Sequence, residues 1–489
     1  MDIQPVILWT DALLALLVSA ASAYAWRVGR KEHLKAPWKK VIRSRRGMVS
    51  MVILAVFVTI GLLDSLHYRP VLKQVGGPGR VYSVEVLSLL DRLLSPLRLH
   101  VEKTYSAPLA AHLFAKETVE TPEGRQIRIF PRLVWGGAHL HQPETEKTKD
   151  ILGRIGIGLV AALLIWGAVG GIFLRVVSWK RREPFLVSAK TLFSGKGEIP
   201  WQAAFWTFLA LLLVGIPIGV LSQKYHVFGT DKVGQDVLYL ALKSIRTGLV
   251  IGTLTTLVML PLAVILGIMA GYYRGWVDDL IQYLYTTLNS IPAVLLIAAA
   301  VLLTQVQMEA RPEWFDTVTS RADFRLLFLC LILGMTSWTG LCRLLRGETL
   351  KLREMEYIQA ALSLGVPDRR IIFRHILPNV MHIILIAVVM DFSGLVLAEA
   401  VLSYVGVGVD PSMISFGTMI NAARLEMARE PMVWWSLASA FGFMFLLVLS
   451  ANIFSDAVRD AFDPRLKTRS FYILRKKKRP QPAGEGETP

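Results

Sequence analysis

Apolar residues in this chain are bunched into long runs. Nine such runs occur, at roughly 5–26, 47–66, 155–177, 203–222, 247–272, 281–305, 324–345, 382–407 and 434–457. Each is close to the ~20 residues that cross ~30 Å of hydrocarbon as a helix. A β-barrel would instead show alternating segments of ~10 residues. The pattern predicts an all-α polytopic membrane protein of about nine transmembrane helices. The longest polar interval is 67–150. Within it Val86, Leu87, Leu90, Leu93, Leu94 and Leu97 make a helical stripe, with Glu85, Asp91 and Arg92 off it, until Pro96 and Pro108 break the pattern. Ile127, Ile129 and Leu133 alternate with polar residues, as in a short strand. This interval is expected to be a small extracytoplasmic α/β segment or an interface-lying helix.

Charge sets the direction of threading. The net charge is +17 and 53 % of residues are hydrophobic. Lys and Arg gather in alternate loops: 27–46, 178–200, 343–380 and the tail after 458. That is the positive-inside pattern. It places the N-terminus outside and the C-terminus in the cytoplasm, as an odd number of spans requires, and it argues against nucleic-acid binding. The first apolar run lacks a basic leader and a small-residue exit, so it reads as a retained span. Cys330 and Cys342 fall in one predicted span, ~18 Å apart along its axis, too far for a disulfide. His139 and His141 form an isolated pair without the further ligands a metal site needs, so no metal site is expected.

The stretch 356–379, "EYIQAALSLGVPDRRIIFRHILPN", lies between two apolar runs. It is too charged to cross a bilayer and too patterned for a slack linker. Tyr357, Ala360, Ala361 and Leu364 fall on one helical face that two alanines keep small. Gly365 is a favoured helix stop. Pro367 cannot continue the helix, and the Asp368 carboxylate suits the next helix start. Ile371, Ile372, His375 and Ile376 form a second apolar strip, with Arg369, Arg370 and Arg374 largely off it. The residues describe helix, sharp turn, helix. This is either a rigid knob for a partner or an interfacial helix pair that only joins two spans.

The same stretch resembles the EAA loop of membrane subunits of bacterial ABC importers: Glu-Ala-Ala, three residues, Gly, nine residues, Ile-x-Leu-Pro. Here it reads Gln359-Ala360-Ala361, Gly365, and His375-Ile376-Leu377-Pro378. Gln359 replaces the Glu and His375 stands at the Ile position, as in the "RHILPN" form of the peptide and nickel branch. "GTDKVGQDVL" (229–238), "GIMAGYYRGWVDD" (267–279), "LAEAVLSYVGVGV" (397–409) and "FSDAVRDAFDPRLK" (454–467) are similar to further landmarks of that branch, with Gln235 in place of Arg. The resemblance, to the second membrane subunit of dipeptide and oligopeptide importers, covers about 230–467. Residues 1–200 depart from it.

The resemblance implies a type I importer permease fold of six spans at 201–470. Before it come two extra spans at 1–66, the extracytoplasmic segment at 67–150, and a third extra span with its loop at 151–200. A basic disordered tail follows at 471–489. It also implies a bacterial inner-membrane protein working with a sister permease, two ATPase subunits and an extracytoplasmic binding protein, and carrying peptide. Glu356, Tyr357, Gln359, Ala360, Ala361, Gly365, Asp368, Arg369, His375 and Pro378 are then the ATPase-coupling loop. No phosphate-loop motif occurs, so the chain is not expected to be an enzyme or to bind a cofactor. ATP and Mg would sit on the partner ATPases. Lys476 to Arg479 are placed to touch anionic lipid. Ionisable and amide groups inside spans usually face a bundle interior or cavity. Asp391, Glu399 and Asn289 are the candidates for the translocation path, with an interhelical hydrogen bond as the alternative for Asp391. An ion-coupled secondary transporter would show inverted repeats, and none is evident. A non-transporting scaffold would leave the five landmarks unexplained.

Overall fold

A computed structural model of the chain describes residues 3–71, 82–120, 126–182, 184, 187, 189–190, 192, 198–315 and 317–462. The tail expected at 471–489 lies outside these residues. A short strand, β1 (Ile3–Val6), leads into α1 (Trp9–Arg30), amphipathic α2 (Glu32–Arg43) and α3 (Arg45–Asp64). Strand β2 (His67–Pro70) returns beside β1, pairing Ile3 with Pro70 and Val6 with His67, and β3 (Leu87–Ser88) adds antiparallel to β2. Strand β1 and the described residues between 67 and 142 therefore lie on one side, the outer side. The predicted stripe at 86–97 is split into α4 (Leu89–Leu93) and α5 (Ser95–Leu99). Pro96 cannot continue α4, because its ring would clash with a carbonyl one turn back. The predicted strand is β5 (Gln126–Ile129), antiparallel to β4 (Glu117–Glu120), and β5 is exposed along its length.

Helices α6 (Pro143–Arg181) and α7 (Trp201–Leu221) form an antiparallel pair. The long α8 (Val237–Tyr273) opens the larger core. The run at 281–305, expected as one span, is broken: α9 (Gly275–Ser290) and α10 (Ala293–Glu309) meet at 88°. Ile291 is extended (φ −90°, ψ 131°), as the residue before a proline must tend to be. Helices α11 (Val318–Ser337) and α12 (Thr339–Arg353) run on from one another and hold Cys330 and Cys342, both buried and free. Two short polar helices, α13 (Glu356–Ser363) and α14 (Asp368–Ile371), precede α15 (Leu377–Tyr404). Helices α16 (Phe416–Met427) and α17 (Trp435–Phe462) close the described chain. Among the described residues eight helices are long and apolar enough to span, and the bent pair makes a possible ninth.

Helix α8 is the hub, packed by α3, α9, α11, α12 and α15. Its contact with α12 is close enough to forbid side chains. A Cβ at Gly267 would meet the Cys342 carbonyl at 2.8 Å, and one at Gly271 would meet the Arg346 carbonyl at 2.7 Å. Gly267 and Gly271, four residues apart, thus make a backbone-to-backbone seam.

The outer segment is bolted to the core through buried charge. Glu102 accepts hydrogen bonds from the backbone N–H of Val134, Trp135 and Gly136 at 2.8–3.0 Å. His226 lies between it and Asp236, at 3.4 and 2.8 Å. Asp236 also caps α8 by accepting from the Leu238 N–H. Burial pushes the Glu102 carboxyl up, but His226 and the three N–H groups outweigh it and hold it at about 2. Burial opposes the charged His226 ring, but the two carboxylates raise it to about 9.

His226 therefore keeps a proton that the unfolded chain gives up as pH rises above 6.5. Its stabilisation, on the order of 3 kcal/mol, is complete below that pH and lost as pH climbs through the folded value. Thermal unfolding of the purified chain in detergent should decline from pH 6.5 to 9.5. His226→Gln should be less stable at pH 6.5 and lack this decline; the same decline in the variant would contradict the assignment.

Candidate functional site

The polar pair α13–α14 is anchored from below. Ile358, Ile371 and Ile376 are each 0 % exposed. They join Ala263, Ile268, Cys342 and Leu345 in one apolar cluster at the end of α8 and α12 remote from the outer segment. Ile371 and Ile376 are five residues apart, a spacing that an α-helix would turn to different faces. One turn of π-helix, Ile372–Ile376, with its i→i+5 bonding, brings both inward before α15 begins. The turn between α13 and α14 is a Schellman closure. The Val366 N–H bonds the Ala361 carbonyl and the Gly365 N–H bonds the Leu362 carbonyl, both at 3.0 Å. Gly365 has φ +72°, a conformation glycine adopts at little cost.

Polar contacts brace the same element. Asp368 accepts from the Tyr272 hydroxyl at 2.7 Å; it ties α14 to α8 and makes no side-chain cap. Gln359 donates to the Arg353 carbonyl at 2.8 Å. Asn379 donates to the Tyr357 hydroxyl at 3.1 Å and to the His375 carbonyl at 2.7 Å. Arg346 grips Asp278 through two bonds of 2.6 and 2.7 Å, and Arg274 pairs with Glu354. Rigid helices on a buried apolar base are the result.

The free face differs in one respect from the expected one. Tyr357, Ala360 and Leu364 are exposed, but Ala361 turns partly inward beside Ile358 and Leu362. Leu364 is 82 % and Phe373 62 % exposed. Glu356, Gln359, Asp368, Arg369, Arg370, Arg374 and Pro378 are exposed around them, with His375 half-buried. The surface is therefore a small apolar knob ringed by polar and basic side chains. Sequence periodicity missed its anchor, Ile358, because an eight-residue helix gives too few turns to fix its inner face.

The three candidates within apolar segments separate. Asp391 is half-buried and has no hydrogen bond or ion pair among the described residues. Asn289, exposed at the end of α9, accepts from the Thr339 hydroxyl at 3.1 Å. Glu399 is 1 % exposed. It accepts from the Ser403 hydroxyl at 2.7 Å and the Ser415 hydroxyl at 2.8 Å. Glu399 thus clamps the end of α15 to the capped start of α16. Among the described residues no cluster of side chains is placed to hold a metal ion. His139 bonds Asp150 at 2.9 Å.

Comparison with known proteins gives the same picture. Residues 263–468 match the family described as binding-protein-dependent transport system inner membrane component. Similarity to the oligopeptide transport system permease protein OppC of Mycobacterium tuberculosis is 32 % identity over 239 residues, covering 49 % of this chain and 76 % of that protein. The chain belongs to the inner-membrane permeases of binding-protein-dependent ABC importers. The glutathione transport system permease protein GsiD of Pectobacterium atrosepticum is 35 % identical over 245 residues, covering 50 % of this chain and 74 % of that protein. The dipeptide transport system permease protein DppC of Lactococcus lactis is 29 % identical over 247 residues, 50 % of this chain and 66 % of that protein. The family match takes in the last eleven residues of α8, the polar pair and the helices through α17, so the knob lies inside the matched region. The segments before α8 lie outside the residues matched to the family.

The clamp makes a testable distinction. Glu399→Gln keeps an acceptor for both serine hydroxyls and should be tolerated. Glu399→Ala leaves the buried Ser403 hydroxyl without an acceptor and cuts the α15–α16 tie at Ser415, and should lower stability by about 2–4 kcal/mol, read as denaturant or thermal unfolding of the purified permease. Equal stability of the two variants would remove the clamp role.

Proposed function

We propose that this permease is one of two membrane subunits of an ATP-driven peptide importer, and that α13–α14 is its contact with an ATPase subunit. The observation that carries the reading is the apolar knob of Tyr357, Leu364 and Phe373 standing on three fully buried isoleucines. An exposed apolar surface on a stiff base suits a partner's groove. Because the base is the shared end of α8 and α12, displacement of the knob is carried into helices that cross the membrane. Closing of two ATPase subunits around ATP then favours whichever permease state makes the better contacts with them, the only way a partner can shift such an equilibrium.

The peptide class is supported by the relatives, whose names specify oligopeptide, dipeptide and glutathione transport. A sister permease supplies the other half of the path, with Asp391 and Asn289 as this chain's polar contribution. An extracytoplasmic binding protein delivers the cargo. The charge bias supports a multi-pass inner-membrane placement with the N-terminus outside and the C-terminus in the cytoplasm. ATP and Mg bind the partner ATPases. In this reading Gln359, where the family pattern has Glu, serves to hold α13 to α12 through Arg353.

Leu364→Glu with Phe373→Glu tests the contact, because both side chains are exposed and the anchors stay intact. In the reconstituted complex the double variant should insert normally, lose ATPase co-purification and lose at least about tenfold of substrate-stimulated hydrolysis. Unchanged association and stimulation would reduce α13–α14 to a connector.

A further inference from the structure

At the end of the molecule opposite the outer segment, α2, the start of α3 and the last turns of α17 enclose a cleft of about 710 Å³. Its floor is fixed. Val41, Val458 and Ala461 are buried together, and Trp38 packs edge-on against Phe462 at 5.4 Å. One wall carries Lys40, Arg45 and Arg46, the other Asp456 and Asp460. All five side chains are exposed, and none has a hydrogen bond or ion pair among the described residues.

Arg45 and Arg46 on one wall, and both aspartates on the other, carry charge of the wrong sign for the helix end on which they sit, while Lys40 lies in the last turn of α2. Arg45 and Arg46 open α3, whose first turn holds no acidic residue; a helix N-terminus is already positive. Asp456 and Asp460, a turn apart, lie in the last two turns of α17, where the backbone is already negative. The first wall therefore calls for an anion and the second for a cation. Free N–H groups at the start of α3 suit phosphate oxygens. The paired carboxylates suit a primary ammonium, which can donate up to three hydrogen bonds. At 28 residues, α17 is roughly 42 Å long, longer than the ~30 Å hydrocarbon core, so its last turns can reach the headgroup layer. Helix α2 presents an apolar side to α17 and a lysine-rich side outward, as an interfacial helix does.

We propose that this cleft binds the headgroup of an aminophospholipid of the phosphatidylethanolamine class, its phosphate on Lys40, Arg45 and Arg46 and its ammonium on Asp456 and Asp460. Trimethylation would remove every ammonium donor, and a glycerol headgroup lacks the cation.

The test is native mass spectrometry of the full-length chain, purified in detergent and offered phosphatidylethanolamine, phosphatidylcholine and phosphatidylglycerol with identical acyl chains. The ethanolamine lipid should be retained about tenfold over either competitor, the scale of one or two charge-assisted hydrogen bonds. Asp456→Asn with Asp460→Asn should drop it to the glycerol-lipid level. Arg45→Gln with Arg46→Gln should lose both. Equal or better retention of phosphatidylglycerol by the unaltered chain overturns the proposal in favour of a plain cationic patch. So does ethanolamine retention untouched by the aspartate changes. On the unaltered chain, free phosphoethanolamine should displace the lipid more readily than phosphocholine does; equal displacement would also count against it.

Discussion

The burial of three isoleucines beneath a polar loop is the constraint on which the rest of this molecule depends. Ile358, Ile371 and Ile376 hold α13 and α14 against α8 and α12, each by roughly 1.5–3 kcal/mol of apolar burial. Without them the segment would be a charged tether of some twenty residues, and motion applied to it would be absorbed locally. With them, the Schellman turn and the π-turn become fixed points, and the Gly267–Gly271 seam locks α8 to α12 at the same site. Stiffness here is a property of a few residues, each with an identifiable contact.

The segments before α8 are held by a different interaction. Arg246 on α8 pairs with Asp11 at 2.6 Å and lies 3.7 Å from Asp323 on α11. Lys243 reaches Asp91 at 2.8 Å and Asp64 at 3.4 Å. His226 sits between Glu102 and Asp236. Buried ion pairs give little net stability, since desolvation offsets most of the attraction, but breaking one by removing a partner is costly. Their value here is registry. They fix α1, α3 and the outer segment at one place on the outer ends of α8 and α11, leaving α1 little buried along the rest of its length.

Much of this was legible in the sequence where one physical signal dominated. Hydrocarbon thickness sets span length, so the apolar runs located the long helices to within a few residues at most ends. Gly365 and the strip of Ile371, Ile372, His375 and Ile376 were readable because turn chemistry and apolar spacing agree. The failures came where two signals competed. At 281–305 the apolar residues read as one span, and the chain turns through 88° at Ile291–Pro292. At 357–364 a short helix offered two plausible faces, and the alanines drew attention from Ile358. Ser415 is brought to Glu399 by the α15–α16 fold, a contact that no local pattern announces. The ion pairs of Arg246, Lys243 and His226 span from 10 to more than 230 residues of sequence, and no local pattern announces them.

If α13–α14 is the ATPase contact, the knob transmits motion because its base is rigid. Ile358→Ala leaves the exposed face chemically unchanged and loosens only the anchor. The direct measurement is peptide uptake per ATP hydrolysed in the reconstituted importer. The variant should still bind the ATPase and hydrolyse ATP, while uptake per ATP falls severalfold. An unchanged ratio would show that the buried anchor does not carry the coupling.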